Sequence, residues 1–372
     1  MLQFMLIVIF TQIIVGLVNW IYDPLSIHSD TGPGFKNHER LAKAAAVDRI
    51  KPHTIILGSS IGRRGLKSTN PVFRILPVYN LSMGSATPYE MFRYLQHSIA
   101  VSDIKQTIIL VDYHLFLDSN SKDTGFNEGY LAVSRNNDAT FLYPLKILWD
   151  GLFSLSALMN INNINNKIIT DKFGNKNNYI KNKKFKSLKQ MIKAFMAPGP
   201  ESGRANLIDS KTGESSVLLF GNVLDLAYKN DIDVKIVMSP YHQYFWRLYT
   251  PGMYEKLYGF KRQIVKINNI AAKKTHKKPY PVWDFNYCNH VTMSLPSDYK
   301  DNLHDFPYFD VIHYKPVLGD IILNTIFENV KEEPGFSGFG MKLNIDTDIK
   351  LNRQMQLYNQ YCFPYLKKYI LN

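Results

Sequence analysis

Apolar and polar positions divide this chain into segments with different periods. Residues 1–22 carry no charged side chain and consist mostly of Leu, Ile, Val and Phe, about the 20 residues that a helix needs to cross a bilayer. Trp20 and Tyr22 stand at the C-terminal edge of this run, where amphipathic rings favour the headgroup region. A cleaved signal peptide is the competing reading, and residues 16–20 form a poor cleavage site. Pro24, Gly32, Pro33 and Gly34 then mark a stalk leading to a short helix over 40–49. Beyond it, short apolar runs alternate with helical periods. Strands are predicted at 54–57, 75–81, 107–111, 234–238 and 282–285, and helices at 215–229, 254–274 and 317–330. A further helix starts at Thr87-Pro88-Tyr89-Glu90, with a capping Thr, Pro at the first position and Glu three residues after the Thr.

This alternation predicts an α/β domain over 51–330 with a mostly parallel sheet and helices on both faces, a three-layer α/β/α sandwich. The stalk and lead-in helix fill 23–50. At about 160–186 the sequence turns rich in Asn and Lys, including Asn162 to Lys167 and Lys181 to Lys184, and reads as an insertion. A C-terminal extension, 331–372, ends in an amphipathic helix that Pro364 should kink or split. Packing on the domain and lying on a membrane surface fit its pattern equally.

Composition adds a folded core and a strong positive charge. The apolar fraction is 45%, and Lys+Arg exceed Asp+Glu by 44 − 31 = 13. Such a charge suits an anionic polymer, an anionic membrane surface or nucleic acid, and an external location argues against the last. The only cysteines, Cys288 and Cys362, match no metal spacing; they can pair in an oxidising compartment, but nothing in the sequence requires it, and two unpaired, partly buried thiols are the simpler reading. No metal or organic cofactor is implied by any motif.

Candidate chemistry begins where the first strand runs into Gly58-Ser59-Ser60. A serine in a tight turn between strand and helix is a nucleophile position if a base can reach it. A pair of serines capping an ordinary helix is the alternative. The same turn lacks the Gly-Lys-Ser/Thr ending of a nucleotide phosphate loop. Asp310-x-x-His313 precedes the last domain helix, so the carboxylate can orient the imidazole while the other ring nitrogen faces the serine. Arg63 and Arg64 follow the serine and are candidates to hold an anionic substrate or to be a solvated first turn. His242 and Asp284 lie at or just beyond the carboxyl ends of the fourth and fifth strands, the ligand-binding end of an open α/β sheet.

The order of Ser60, Gly84, Asp112 and Asp310-x-x-His313 resembles the SGNH/GDSL hydrolase superfamily over about 52–330. The resemblance implies a flavodoxin-like sheet, a nucleophile at Ser60, a base at His313 oriented by Asp310, and an oxyanion held by the amides of Ser60 and Gly84. It departs at the third block: Val111-Asp112-Tyr113 stands where the superfamily has Gly-x-Asn, so no asparagine donates. An ionised Asp112 would repel an oxyanion, and His114 is a candidate replacement donor or a satisfied polar residue. Gly-Ser-Ser, the apolar N-terminus and Phe309-Asp310-x-x-His313-Tyr314-x-Pro316 are similar to a membrane-anchored branch that serves bacterial cell-surface polymers. The resemblance implies an acyl esterase or O-acyltransferase on a cell-envelope glycan or anionic polymer. It would be anchored by one N-terminal helix in the cytoplasmic membrane with its domain outside, and a membrane acyltransferase is a candidate partner. The competing expectation is a non-catalytic protein of the same fold that binds polymer or recruits an enzyme.

Overall fold

The computed structural model describes residues 1–29, 38–117, 125–133, 145–159, 171–175, 206–209, 212–247, 253–295, 306–328, 336, 338–344 and 346–370. The Asn- and Lys-rich runs 162–167 and 181–184, with Gly32, Pro33, Gly34, Pro334 and Gly335, lie outside the described residues.

Apolar, β-branched stretches form the strands. β1 (Thr54–Leu57) lies between β2 (Val78–Asn80) and β3 (Gln106–Leu110), parallel to both, with Ile56 opposite Asn80 on one side and Ile108 on the other. β4 (Asp233–Met238) and β5 (Val282–Asp284) continue the parallel ladder, and β6 (Met341–Lys342) closes it antiparallel, giving the order β2-β1-β3-β4-β5-β6. β1 and β3 are buried along their whole length, as expected for parallel strands covered on both faces. The predicted strand at 75–81 shrinks to three residues. Pro77 has no N–H to give the ladder, and its carbonyl instead accepts from the amides of His53 and Thr54.

Helices form where the sequence carries caps and a 3.6-residue period. They are α1 (Leu2–Tyr22), α2 (Glu39–Ile50), α3 (Ser60–Gly65), α4 (Pro88–Val101), α5 (Ser216–Lys229), α6 (Met253–Lys274), α7 (Pro316–Ile326), α8 (Thr347–Leu357) and α9 (Phe363–Ile370). Thr87 caps α4 through the Glu90 amide, with Pro88 at the first position. α1 is long and apolar enough to cross a membrane, and most of it is exposed. Around the sheet, α4 packs on α2 and α5, and α5 packs on α6.

Two buried lysines hold distant segments together. Lys43 on α2 donates to the carbonyls of Asn80 and Ser82, both at 2.7 Å, and to that of Gly174 at 3.2 Å. Burial pulls its pKa down to about 7, against the pull of Glu39. Lys261 on α6 pairs with Asp284 at 2.7 Å and reaches Gln354 on α8 at 3.3 Å. Asp284 is thereby a structural ion-pair partner. A buried charge is tolerable only when paired and hydrogen-bonded.

The C-terminal extension packs on the domain, burying Leu351, Gln354, Tyr358, Cys362 and Leu366. Between α8 and α9 the helix widens to a π turn at Tyr358–Cys362. Pro364 cannot supply an N–H to the preceding turn, so the expected interruption falls there. The cysteines take the less favoured of the two alternatives that the sequence leaves open. Cys288 and Cys362 form a disulfide, with Cα atoms 6.2 Å apart. A separation of 74 residues hid this pairing, because only the packing of the extension brings them together.

A loop of that length implies up to about 4 kcal/mol of stabilisation through the unfolded chain. Replacing both cysteines by Ala should therefore lower the unfolding free energy by about 2–4 kcal/mol in urea denaturation of the oxidised protein. An unchanged midpoint would contradict the bridge.

Candidate active site

The turn after β1 is shaped by small residues and held from two neighbouring strands. A side chain at Gly62 would meet Ser82 Oγ at 2.8 Å, so only glycine lets α3 settle on the turn after β2. The Gly58 carbonyl accepts from the Met83 amide. Asn80 donates through Nδ2 to the carbonyls of Gly62 and Leu66, fixing the end of α3. Ser59 is the N-cap: its Oγ accepts from the Ile61 amide at 3.1 Å and donates to Asp112 Oδ2 at 2.6 Å. Asp112 is fully buried in the turn after β3. Two adjacent strand ends are thus joined beneath Ser60, which is left half-buried at the first position of α3.

His313 arrives on a tight hairpin. Tyr308 pairs antiparallel with Tyr314, and the Phe309 amide donates to the His313 carbonyl. Inside the turn, Asp310 Oδ1 accepts from the amides of Ile312 and His313, each at 2.8 Å. Asp310 Oδ2 accepts from His313 Nδ1 at 2.8 Å, and His313 Nε2 lies 2.8 Å from Ser60 Oγ. The acceptor at Nδ1 fixes the tautomer, so Nε2 is the nitrogen able to accept the Ser60 hydroxyl hydrogen. Glycines bring the hairpin close. A Cβ at Gly319 would sit 1.8 Å from the Gly65 carbonyl oxygen, and one at Gly65 would enter the Tyr314 ring. This contact of α7 with α3 sets the distance between His313 and Ser60.

The electrostatics favour a neutral imidazole. Burial lowers the His313 pKa below the ordinary histidine value; Asp310 opposes this, while Arg64 and Arg63 add to it. Burial would raise the Asp310 pKa, but the facing His313 and two backbone amides hold it below the usual carboxylate range. Arg64 stands 3.8 Å from Asp310. For Asp112, burial pushes the carboxyl up to about 6, partly offset by the hydroxyls of Ser239 and Ser59.

The remaining expected residues divide. Gly84 lies near the site, yet its amide donates to Glu39 Oε2 at 3.1 Å, and the same oxygen pairs with Arg63 at 2.5 Å. Gly84 N–H is therefore engaged in this conformation, and Arg63 is held by a carboxylate. His242 is fully buried, with Nε2 at 2.9 Å from the Ser294 carbonyl and Nδ1 accepting from the Tyr244 amide. Both ring nitrogens are used, burial lowers its pKa to about 4, and its backbone amide holds the Val311 carbonyl of the base hairpin. It supports the hairpin instead of lining the site. His114 is half-buried with Nδ1 at 2.5 Å from the Tyr241 hydroxyl. Burial and the nearby His313 depress its pKa to about 3, keeping the ring neutral.

Sequence reasoning missed Glu39, Lys43 and Tyr241. Nothing in the local sequence at the start of α2 shows that its charged residues point under the Gly84 turn.

No protein-family model matches the chain, and no curated protein matches it.

Asp112 has a folded-state pKa near 6, above the usual carboxylate value of about 3.9. The folded protein thus holds this proton more tightly than the unfolded chain, so this group's contribution to stability falls as pH rises from about 4 to 6 and stays low above that. Asp112→Asn keeps an acceptor for Ser59 without the buried charge. The variant should gain on wild type by an amount on the order of 3 kcal/mol between pH 4 and pH 7, read from urea midpoints at each pH. A pH-independent difference would contradict the assignment.

Proposed function

We propose that this protein is a membrane-anchored, serine-dependent acyl esterase or O-acyltransferase acting on a cell-envelope polysaccharide or a similar polymer. The observation that carries this reading is the Ser60–His313–Asp310 chain, with 2.8 Å at each junction, assembled from elements more than 250 residues apart. The strand order β2-β1-β3-β4-β5 supports the SGNH-type three-layer sandwich, in which β1 sits at the switch point where ligands bind.

In this reading the Ser60 proton passes to His313 Nε2 as Oγ attacks the acyl carbonyl. Asp310 holds the ring and stabilises the imidazolium. His313 returns the proton to the leaving alkoxide, which leaves an acyl-Ser60 ester. Water as the second nucleophile completes hydrolysis, and a sugar hydroxyl completes transfer. The Ser60 amide, which has no acceptor among the described residues, supplies one oxyanion donor. With Nδ1 paired to Tyr241, His114 Nε2–H is the second, taking the place of the absent asparagine. The Gly84 amide joins only if Glu39 withdraws.

The disulfide supports an oxidising, extracytoplasmic location for the domain, and α1 is suited to hold it at the bacterial cytoplasmic membrane. The net charge of +13 suits an anionic polymer, and an acyltransferase in the same membrane is the candidate source of the acyl group. The engaged Gly84 amide favours the second reading, a non-catalytic polymer-binding or recruiting role.

A fluorophosphonate separates the two. Wild-type protein should be phosphonylated on Ser60, and Ser60→Ala and His313→Ala should abolish labelling. His114→Leu should slow it about a hundredfold, the usual loss when one oxyanion donor is removed. Folded wild-type protein that does not label would support the non-catalytic role.

A further inference from the structure

We propose that residues 145–159 form a second membrane element, seated in the outer boundary of the bilayer beside α1. Their helical turns run from 145 to 148, through a π turn at Trp149–Phe153, into Leu155–Met159. Within these 15 residues Leu145, Leu148, Trp149, Leu155 and Met159 are each 43–74% exposed. A cluster of large apolar side chains this dense marks a surface with a partner.

The packing identifies the partner as lipid. The segment lies against the C-terminal part of α1, where Val15, Gly16 and Asn19 are the buried positions. Gly16 faces the Phe153 ring, which a Cβ there would meet at 3.4 Å. The Asn19 amide donates to the carbonyls of Leu152 and Ser154, both at 3.1 Å. The Asn19 Nδ2 group inside the apolar span is thereby bonded to two carbonyls of the segment, of which Ser154 O also accepts from the Ala157 and Leu158 amides, the kind of interhelical hydrogen bond that holds helices together in hydrocarbon. Residues 15–19 lie 3–7 residues from the end of α1, about 5–10 Å along its axis. The segment is held at that depth, and Trp20, Ile21 and Tyr22 at the end of α1 are exposed as well. Lys146 and Asp150 neutralise each other at 2.7 Å.

The other side of the segment faces the domain. Ala157 is buried with Leu25, Ile27, Leu41 and Ala45, so α2, whose Glu39 and Arg40 reach the Gly84 turn, rests on it. This proposal depends on reading α1 as a membrane span, and the test keeps the two claims apart.

Full-length protein would be placed in nanodiscs of phosphatidylcholine with brominated acyl chains, and its tryptophan emission compared with that in unbrominated discs. Trp246 is buried in the domain and Trp283 lies on β5, so both give a constant background. Trp149→Phe leaves Trp20 to report on α1, and Trp20→Phe leaves Trp149 to report on the segment. Both variants should lose emission to bromine, and the double variant should not. Quenching in Trp149→Phe alone would overturn the proposal while keeping α1 in the membrane, and would mean that a protein surface covers Trp149. Quenching in neither variant would overturn both claims.

Discussion

The hydrogen bond from Ser59 to the buried Asp112 carboxylate is the constraint on which the site depends. It joins the turn after β1 to the turn after β3 and simultaneously sets the cap of α3, because Ser59 Oγ also accepts from the Ile61 amide. Ser60 therefore enters the site from a turn fixed on both sides. Burying a carboxylate raises its pKa and destabilises its charged form. The strand ends accept this because a charged acceptor binds a hydroxyl more strongly than a neutral one.

From that anchor the rest of the site follows by close packing. Asn80 fixes the far end of α3, and glycines at 65 and 319 let α7 come down on it. The hairpin before α7 then carries His313 to Ser60. Two polar side chains support the site from behind: His242, with both ring nitrogens engaged, holds the hairpin, and Lys43, donating to three carbonyls, clamps the turn after β2. Contacts of this kind specify one arrangement, since losing a partner would leave a buried lysine or histidine nitrogen unpaired.

Local patterns in the sequence were sufficient for the presence of the five parallel strands, the capped helices and the Asp310-x-x-His313 unit, but not for the antiparallel β6 or the length of β2. They are properties of neighbouring residues: an apolar run, Thr-Pro-x-Glu, a three-residue spacing. What escaped was long-range. Nothing near Gly84 signals that Glu39 occupies its amide, nothing near Cys288 points to Cys362, and the apolar positions of 145–159 make sense only beside α1. Asp112 was legible as an anomaly but not as a support, because its role depends on which way one carboxylate turns.

If His313 activates Ser60, the pH dependence of Ser60 phosphonylation will follow the titration of that imidazole. The rate should rise through a single deprotonation below the usual histidine value of about 6.5, as burial of His313 requires, and then level off. His313→Asn should remove that step. A rate that simply follows hydroxide, or a profile unchanged in His313→Asn, would contradict the account.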